Sequence, residues 1–451
     1  MLQNSKKLHI QNLTLFHAIS LMSTVSFVRS HTGQVLLLAM ASRILYILIV
    51  ALSTFTTTEY DTSATHVLAP STIAACSTPA SQILLTLKRL VRWDAVYFLG
   101  IAEQGYTYEQ QFAFFPGLPL LMQAATHSLS SVFGSSVCNH VLLVISGILI
   151  SNTCFVMATV ALYKLSAHVL HDNHIAFVSA ILFAFNPAGI FMSSIYTESP
   201  FALCAFMGML NMVQGHTWAA ALWWSGASSL RGNGILFAGF FIWDLLHPFA
   251  KHTIQTQTMY RIVRNTIALG VVVAPFILFQ YYGWTLFCTE NADTYRPWCN
   301  HRIPSIYSFV QAHYWNNGLF KYYTAQQIPN FFLAAPYLIV SCTGITQFAL
   351  EHWTEFISVG FMTKKLKRPY SVLTLLPFVY LWMVMLGTCA LFMHVQVILR
   401  FFTSSPVLFW VLAKWTVEWN GKSMFIRLLG FYYTAYPVIG AVLFANFLPP
   451  A

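Results

Sequence analysis

Arg92-Trp93-Asp94-Ala95-Val96-Tyr97-Phe98-Leu99-Gly100-Ile101-Ala102-Glu103-Gln104 is a short amphipathic run in a chain otherwise composed to stay in a bilayer. Val96, Leu99 and Ala102, with Phe98 and Ile101, repeat at i, i+3, and Asp94 stands at the N-cap position, so 94–104 reads as a helix. Crossing a membrane takes about 20 residues, so this helix is expected along the membrane surface. It follows the first strong apolar run, 35–55, and leads to Ala113-Phe114-Phe115-Pro116, where Pro116, Gly117 and Pro119 read as a stop. Asp94, Glu103 and Glu109 lie in this stretch, although the 451 residues contain only 13 Asp and Glu. Acids so scarce, kept beside a membrane, are expected to work. The expectation is that this loop holds a catalytic base.

Composition sets the class. Hydrophobic residues make up 57% and charged residues 8%, against roughly 25% charged in an ordinary soluble domain. The chain therefore reads as an all-α polytopic membrane protein. A barrel would show alternating segments instead of long apolar runs. The net charge of +10 fits the positive-inside rule: the bases cluster at Lys6 and Lys7, at Lys251, Arg261 and Arg264, and at Lys364, Lys365, Lys367 and Arg368. These segments are expected in the cytosol. No aromatic-basic nucleic-acid module appears, so no nucleic-acid partner is expected. No C-x-x-C or Cys/His zinc spacing occurs among the eight Cys, and no metal or cofactor is expected.

Residues 1–34 read as an N-terminal cytosolic segment, and 35–451 as one multi-span unit. Arg43 interrupts the first span. Further spans are read at about 138–163, 175–194 (kinked at Asn186-Pro187), 201–213, 217–243 (broken at Arg231-Gly232-Asn233-Gly234), 265–287, 331–350, 372–393, 401–417 and 425–447. The count is expected to fall between 8 and 12, with 56–118 and 288–330 on the lumenal side. Cys138, Cys154, Cys204, Cys342 and Cys389 lie in apolar runs and read as packing residues. Cys288 and Cys299 flank one polar loop and are expected to pair if that loop is in an oxidising lumen.

The candidate residues follow from scarcity and placement. Asp94 is the leading base, although as an N-cap it would serve the helix alone. Glu103, nine residues on, lies half a turn out of phase at roughly 100° per residue, so the two acids cannot share a helix face. Glu103 and Glu109 read as structural or lipid-headgroup contacts. Arg231 and Arg400 lie near or in apolar runs, where they either snorkel or grip a substrate phosphate by forked hydrogen bonds. His394 and Gln396 sit just upstream of Arg400. Glu198, in Tyr196-Thr197-Glu198-Ser199-Pro200, reads as a helix cap or a sugar contact. The aromatics Trp298, Tyr307, Tyr314, Trp315, Tyr322 and Tyr323 of 288–330 read as an interfacial belt, with sugar stacking as the alternative.

Several of these motifs together resemble the PIG-V family of GPI mannosyltransferases. They are Trp93-Asp94-Ala95 with Phe98, Ile101-Ala102, Gly105-Tyr106 and Ala113-Phe114-Phe115-Pro116; Asn186-Pro187-Ala188; Arg231-Gly232-Asn233-Gly234; Tyr314-Trp315-Asn316; Gln327-Ile328-Pro329-Asn330-Phe331; His394-Val395-Gln396 with Arg400-Phe401; and Asn446-Phe447-Leu448-Pro449. The resemblance covers about 35–451. One departure is Gly232, where the family usually has Ser. The resemblance implies a GT-C-type fold with the catalytic acid in the first lumenal loop, where Asp94 falls. It also implies transfer of the second mannose, in α1,6 linkage, from dolichol-phosphate-mannose to a glycosylphosphatidylinositol precursor in the endoplasmic reticulum membrane. Candidate substrate contacts are then Trp93, Glu103, Glu198, Arg231, His394, Gln396 and Arg400. Two other readings remain: a lipid-linked-sugar transferase with a different acceptor, and a transporter or flippase. Against the latter, the acids sit in a loop and not at mid-membrane in broken, paired helices.

Overall fold

The computed structural model describes residues 30–56, 60, 87–133, 137–246, 256–289, 296–362, 372–419 and 423–448. Lys6, Lys7, Cys76, Lys251, Lys364, Lys365, Lys367, Arg368 and Pro449, with most of 56–86, fall outside the described residues. Among the described residues the elements are helical throughout, as the apolar runs predict. The helices are α1 (His31–Thr56), α2 (Asp94–Gln104), α3 (Gly117–Phe133), α4 (Asn139–Leu170), α5 (Asn173–Ala184), α6 (Glu198–Val213), α7 (Thr217–Leu230) and α8 (Ala238–Leu246). After them come α9 (Thr256–Phe287), α10 (Ile306–His313), α11 (Ile328–Glu351), α12 (Trp353–Ile357), α13 (Val372–Leu391), α14 (Ile398–Phe401), α15 (Pro406–Trp419) and α16 (Met424–Ala445).

Six of these helices are long and apolar enough to cross a membrane alone, and a pair bent by 89°, Val395–Ser404 with Pro406–Glu418, is either a broken seventh span or a re-entrant loop. Asn173–Ala184, Glu198–Val213 and Gly232–Leu246 are apolar but short. The expected 8–12 spans included these shorter runs. The bend falls at Ser405-Pro406: Pro406 cannot donate, and Ser405 before it is extended. α4 packs against α1, α3, α5 and α6, and α7 packs against α6 and α9.

Three local readings change. Pro116-Gly117-x-Pro119 starts α3 instead of stopping the chain. The Pro116 carbonyl accepts the first bond, from Leu120 N at 3.0 Å, and Pro119 sits in the first turn, where its missing N–H has no partner to lose. Arg43 does not interrupt α1; it is buried at 3% exposure and donates to Gly189 O at 2.8 Å, Ala184 O at 3.3 Å and Ser193 Oγ at 2.9 Å. Asn186-Pro187 does more than kink its span. α5 ends at Ala184, and 185–197 continues as buried turns. The backbone carbonyls freed there need donors away from water, and Arg43 and the Tyr46 hydroxyl (to Asn186 O, 3.1 Å) supply them. A Cβ at Gly189 would overlap the Tyr46 ring, so glycine allows this close approach. The result is a fixed turn that delivers Tyr196, Thr197 and Glu198 to one point.

Cys288 and Cys299 form the expected disulfide, with Cα atoms 5.5 Å apart. Cys138 is disulfide-bonded as well. It stands at the N-cap of α4 and packs against the main hydrophobic core, as read from the sequence, while also forming a disulfide that reading did not include. Cys154, Cys204, Cys342 and Cys389 are free thiols.

Candidate active site

Asp94 opens α2 but does not cap it. The N-cap residue is Trp93, with no side-chain capping bond. Its φ of 53° and ψ of −122° form a conformation a bulky residue adopts only when its surroundings enforce it. Two clamps hold the turn. On one side the fully buried Tyr196 hydroxyl accepts from Asp94 N at 3.1 Å and donates to Arg92 O at 3.2 Å. On the other, Arg92 Nε donates to Ala445 O at 3.2 Å, Arg89 bonds Asn446 Oδ1, and the Phe447 ring lies 5.5 Å from that of Trp93. The strained turn frees the carboxylate from its own helix. Asp94 Oδ2 instead accepts from Arg400 Nη2 at 2.7 Å.

Arg400 continues the chain of charges. Its Nε donates to Glu198 Oε1 at 2.6 Å, and Arg231 Nη1 reaches the same oxygen at 2.7 Å. Glu198 is 0% exposed, Arg231 13%, Arg400 18% and Asp94 28%. Burial deepens from Asp94 to Glu198, and two cations balance two anions. Glu198 is therefore the anchor that holds two guanidinium groups in register. Arg231 stacks over Phe401 at 4.7 Å and Arg400 over Phe191 and Tyr196 at 4.9 Å, which fixes the planes of both forks. Among the described residues Asp94 Oδ1, Arg400 Nη1, and Arg231 Nε and Nη2 have no hydrogen-bond partner.

Asp94, Arg231 and Arg400 line a cavity of about 660 Å³. Trp93, Asp94 and Phe98 of the 92–104 run form one part of its wall. Arg231, Gly232 and Asn233 form another, Tyr307, Gln311, Trp315 and Asn317 a third, and His394, Gln396 and Arg400 a fourth. The break at 231–234 is a 3-10 turn between α7 and α8, and it is what turns Arg231 and Asn233 inward. Gly232 packs tightly: a Cβ there would stand 2.9 Å from the Tyr307 ring carbon and hydroxyl, so that ring would have to shift. His394 donates from Nε2 to Trp315 O at 2.8 Å and stacks on Tyr322 at 4.5 Å. Burial pushes the Tyr322 phenol up, and it stays neutral beneath the imidazole.

The expected contacts do not all meet here. Asp94, Trp93, Arg231, His394, Gln396 and Arg400 share the cavity wall, with Glu198 directly behind it. Glu103 points away, to His140 Nδ1, and does not line the cavity; the phase argument along α2 anticipated that separation. Glu109 is a structural contact. It accepts from Trp298 Nε1 at 2.6 Å and the Tyr314 hydroxyl at 3.1 Å, tying the 298–314 stretch to the cavity wall at 113–115. Burial, and then that carboxylate, push the Tyr314 phenol up. Trp298 is fully buried and belongs to neither a belt nor a stack. Tyr307 and Trp315, read as belt or sugar-stacking aromatics, both line the cavity, whereas Gln311 and Asn317 were not singled out from the sequence. They are uncharged and carried no signal of scarcity. Among the described residues no three His, Cys, Asp or Glu gather as a metal-ligand set.

Fold and site together define an α-helical membrane protein built round one charged, aromatic-walled cavity. A family model described as Mannosyltransferase (PIG-V) matches residues 32–451, and the chain belongs to that family: it is a membrane mannosyltransferase. It is 30% identical over 485 residues to the GPI alpha-1,6-mannosyltransferase 2 of Rattus norvegicus, covering 92% of this chain and 98% of that protein. It is 35% identical to the human protein of that name over 359 residues, 71% of this chain and 72% of that one. The GPI mannosyltransferase 2 of Cryptococcus neoformans is 31% identical over 83% of this chain and 92% of its own length. Among solved structures, an Archaeoglobus fulgidus oligosaccharyltransferase is similar at TM-score 0.44 and 12% identity, over 93% of this chain and 53% of that chain.

Proposed function

We propose that this chain transfers the second mannose, in α1,6 linkage, from dolichol-phosphate-mannose to the mannosylated glycosylphosphatidylinositol precursor, on the lumenal face of the endoplasmic reticulum membrane. Family membership and the names of the full-length relatives support the reaction. The observation that carries the mechanism is the divided Asp94 carboxylate, with one oxygen gripped by Arg400 and the other open to the cavity.

The donor mannose is β-linked and the product α-linked, so one inverting displacement suffices. The acceptor hydroxyl oxygen attacks the anomeric carbon as the bond to the phosphate oxygen breaks. Asp94 Oδ1 takes the hydroxyl proton as general base. The dolichyl phosphate leaves with the bonding pair, and the open N–H groups of Arg400 and Arg231 donate to it. Glu198 keeps both cations in place without touching the reacting atoms. The Cys288–Cys299 disulfide supports a lumenal setting for 288–330, with 56–118 on the same side.

The test is Asp94→Asn in cells lacking their own second-mannose activity. Asparagine keeps the size and can still bond Arg400 through its oxygen, but it takes up no proton. Loss of a general base costs on the order of 10²- to 10⁴-fold in rate, so the one-mannose lipid should accumulate at unchanged protein level. Glu103→Gln should keep the two-mannose lipid. Near-parental two-mannose lipid from Asp94→Asn refutes Asp94 as base.

A further inference from the structure

His394 lines the cavity together with Asp94, Arg231 and Arg400, and the displacement described above leaves it without a task. Its ring is fixed from two sides. Nε2 meets Trp315 O at 2.8 Å, and the ring lies on Tyr322 with 20° between the planes. A carbonyl oxygen only accepts, so Nε2 keeps its proton whether the imidazole is neutral or charged. Nδ1 is then the atom that gains or loses one. Among the described residues Nδ1 has no hydrogen-bond partner, and it is not shut off from solvent as His140 Nε2 is.

Few charges bear on this ring. α11 and α13 pack against the 395–397 turn. α13 contains no Asp, Glu, His, Lys or Arg, and the one charged residue of α11 is Glu351, at its far end. Asn330 and Leu333, which α11 brings to the cavity, are uncharged. The Tyr322 hydroxyl beneath the ring accepts from Asn330 Nδ2 at 2.8 Å. The charged residues of the cavity wall are Asp94, Arg231 and Arg400.

The donor phosphate is a diester with one negative charge. When its oxygen leaves the anomeric carbon with the bonding pair, the dolichyl phosphate carries two. Arg231 and Arg400 balance that charge but have no proton to give up, and a dianion between two guanidinium groups is slow to depart. A phosphate monoester takes up its second proton at about pH 6, in the range where histidine ordinarily titrates, so a proton passes between them at little cost. We propose that His394 is the general acid of the transfer, its Nδ1 proton passing to an oxygen of the leaving phosphate as the sugar departs. Asp94 then holds the acceptor's proton, the lipid phosphate leaves as a monoanion, and the imidazole is neutral with Nε2–H still on Trp315 O. Asp94 loses its proton to water and Nδ1 takes one back, so the cycle neither consumes nor releases protons. This rests on the sugar-transfer reading above and adds a proton donor to it.

His394→Gln is the informative variant, because a glutamine amide can still donate to Trp315 O but has no proton to give near neutral pH. With dolichol-phosphate-mannose and the one-mannose lipid, kcat should fall about 10²-fold, the low end for general acid–base catalysis, at unchanged thermal stability in detergent. The second readout is pH. The kcat of the parent should fall as pH rises, because Nδ1 must carry a proton. His394→Gln should lose that high-pH limb and keep the low-pH limb set by Asp94. Ionisations of the acceptor lipid occur with both enzymes and cancel in the comparison. A variant as fast as the parent, or a slow one that keeps the parent's high-pH limb, overturns the proposal and leaves His394 as a support for Trp315. Should the variant fail to fold, the parent decides: a fall in kcat with rising pH across about pH 5–8, the range of histidine, supports the proposal, and a level kcat overturns it. A parent that transfers no mannose to the one-mannose lipid sinks the proposed function instead, so the two failures differ.

Discussion

Replacing Glu198 by glutamine tests whether the four charges act as one device. In the parent, Arg231 and Arg400 balance Glu198 and Asp94, and Glu198 is 0% exposed. Glu198→Gln keeps the shape but leaves two guanidinium groups with a single carboxylate. Removing one partner from a buried ion pair costs about 3–5 kcal/mol. The glutamine oxygen can still accept from one arginine, so the expected loss is at the lower end, about 3 kcal/mol. Were the same energy lost from the placement of Arg400 and Asp94, the rate would fall on the order of 10²-fold, at roughly 1.4 kcal/mol per factor of ten. The assay pairs thermal unfolding in detergent with transfer to the one-mannose lipid. Adding Arg231→Gln to Glu198→Gln restores neutrality. That double variant should be more stable than Glu198→Gln alone by about 1 kcal/mol, the scale of coupling between touching charges, even though it loses a cation proposed to receive the leaving phosphate. Unchanged stability in the single variant, or simple addition of losses in the double, refutes the charge-balance reasoning.

Three other outcomes are expected. Gly232→Ser, which installs the residue usual in the family, should push the Tyr307 ring out of the cavity wall and lower kcat/KM severalfold; Tyr307→Ala in the same chain should relieve the crowding, and equal activity with and without Tyr307→Ala would count against it. Thiol labelling of the denatured, unreduced protein should miss Cys138, Cys288 and Cys299 and find Cys204. A glycosylation sequon inserted into 288–330 should be modified, while one at 364–368 should not, and the reverse pattern overturns the lumenal placement.

The sequence made the rare charges legible. In a chain with 13 acids, Asp94, Glu198, Arg231 and Arg400 stand out, and four of them converging in space is what scarcity near a membrane predicts. Their partners were not legible. Glu198 read equally as a cap or a sugar contact, because its partners lie 33 and 202 residues away and no local period links them. The helix at 94–104 followed from its apolar spacing, but Asp94 as its cap did not, because a contact 306 residues away outcompetes the local bond. The start of α3 was misread because proline and glycine mark both ends of helices, and only the bond from Leu120 N to Pro116 O decides which. Gln311 and Asn317 were invisible for a different reason: an uncharged polar side chain stands out only once the fold gathers it onto the cavity wall.

The clamp on Trp93 also bears on the order in which the enzyme is made. Arg89 and Arg92 are anchored on Ala445 and Asn446, more than 350 residues further along. Chains emerge and fold from the N-terminus, so Asp94 is synthesised early and waits, unheld on that side, until α16 has entered the membrane. An incompletely inserted chain therefore holds nearly every residue of the site and lacks the fixed turn that aims its carboxylate. On the role proposed for Asp94, a chain truncated before its last helix is expected to transfer no mannose, although it keeps Asp94, Glu198, Arg231 and Arg400.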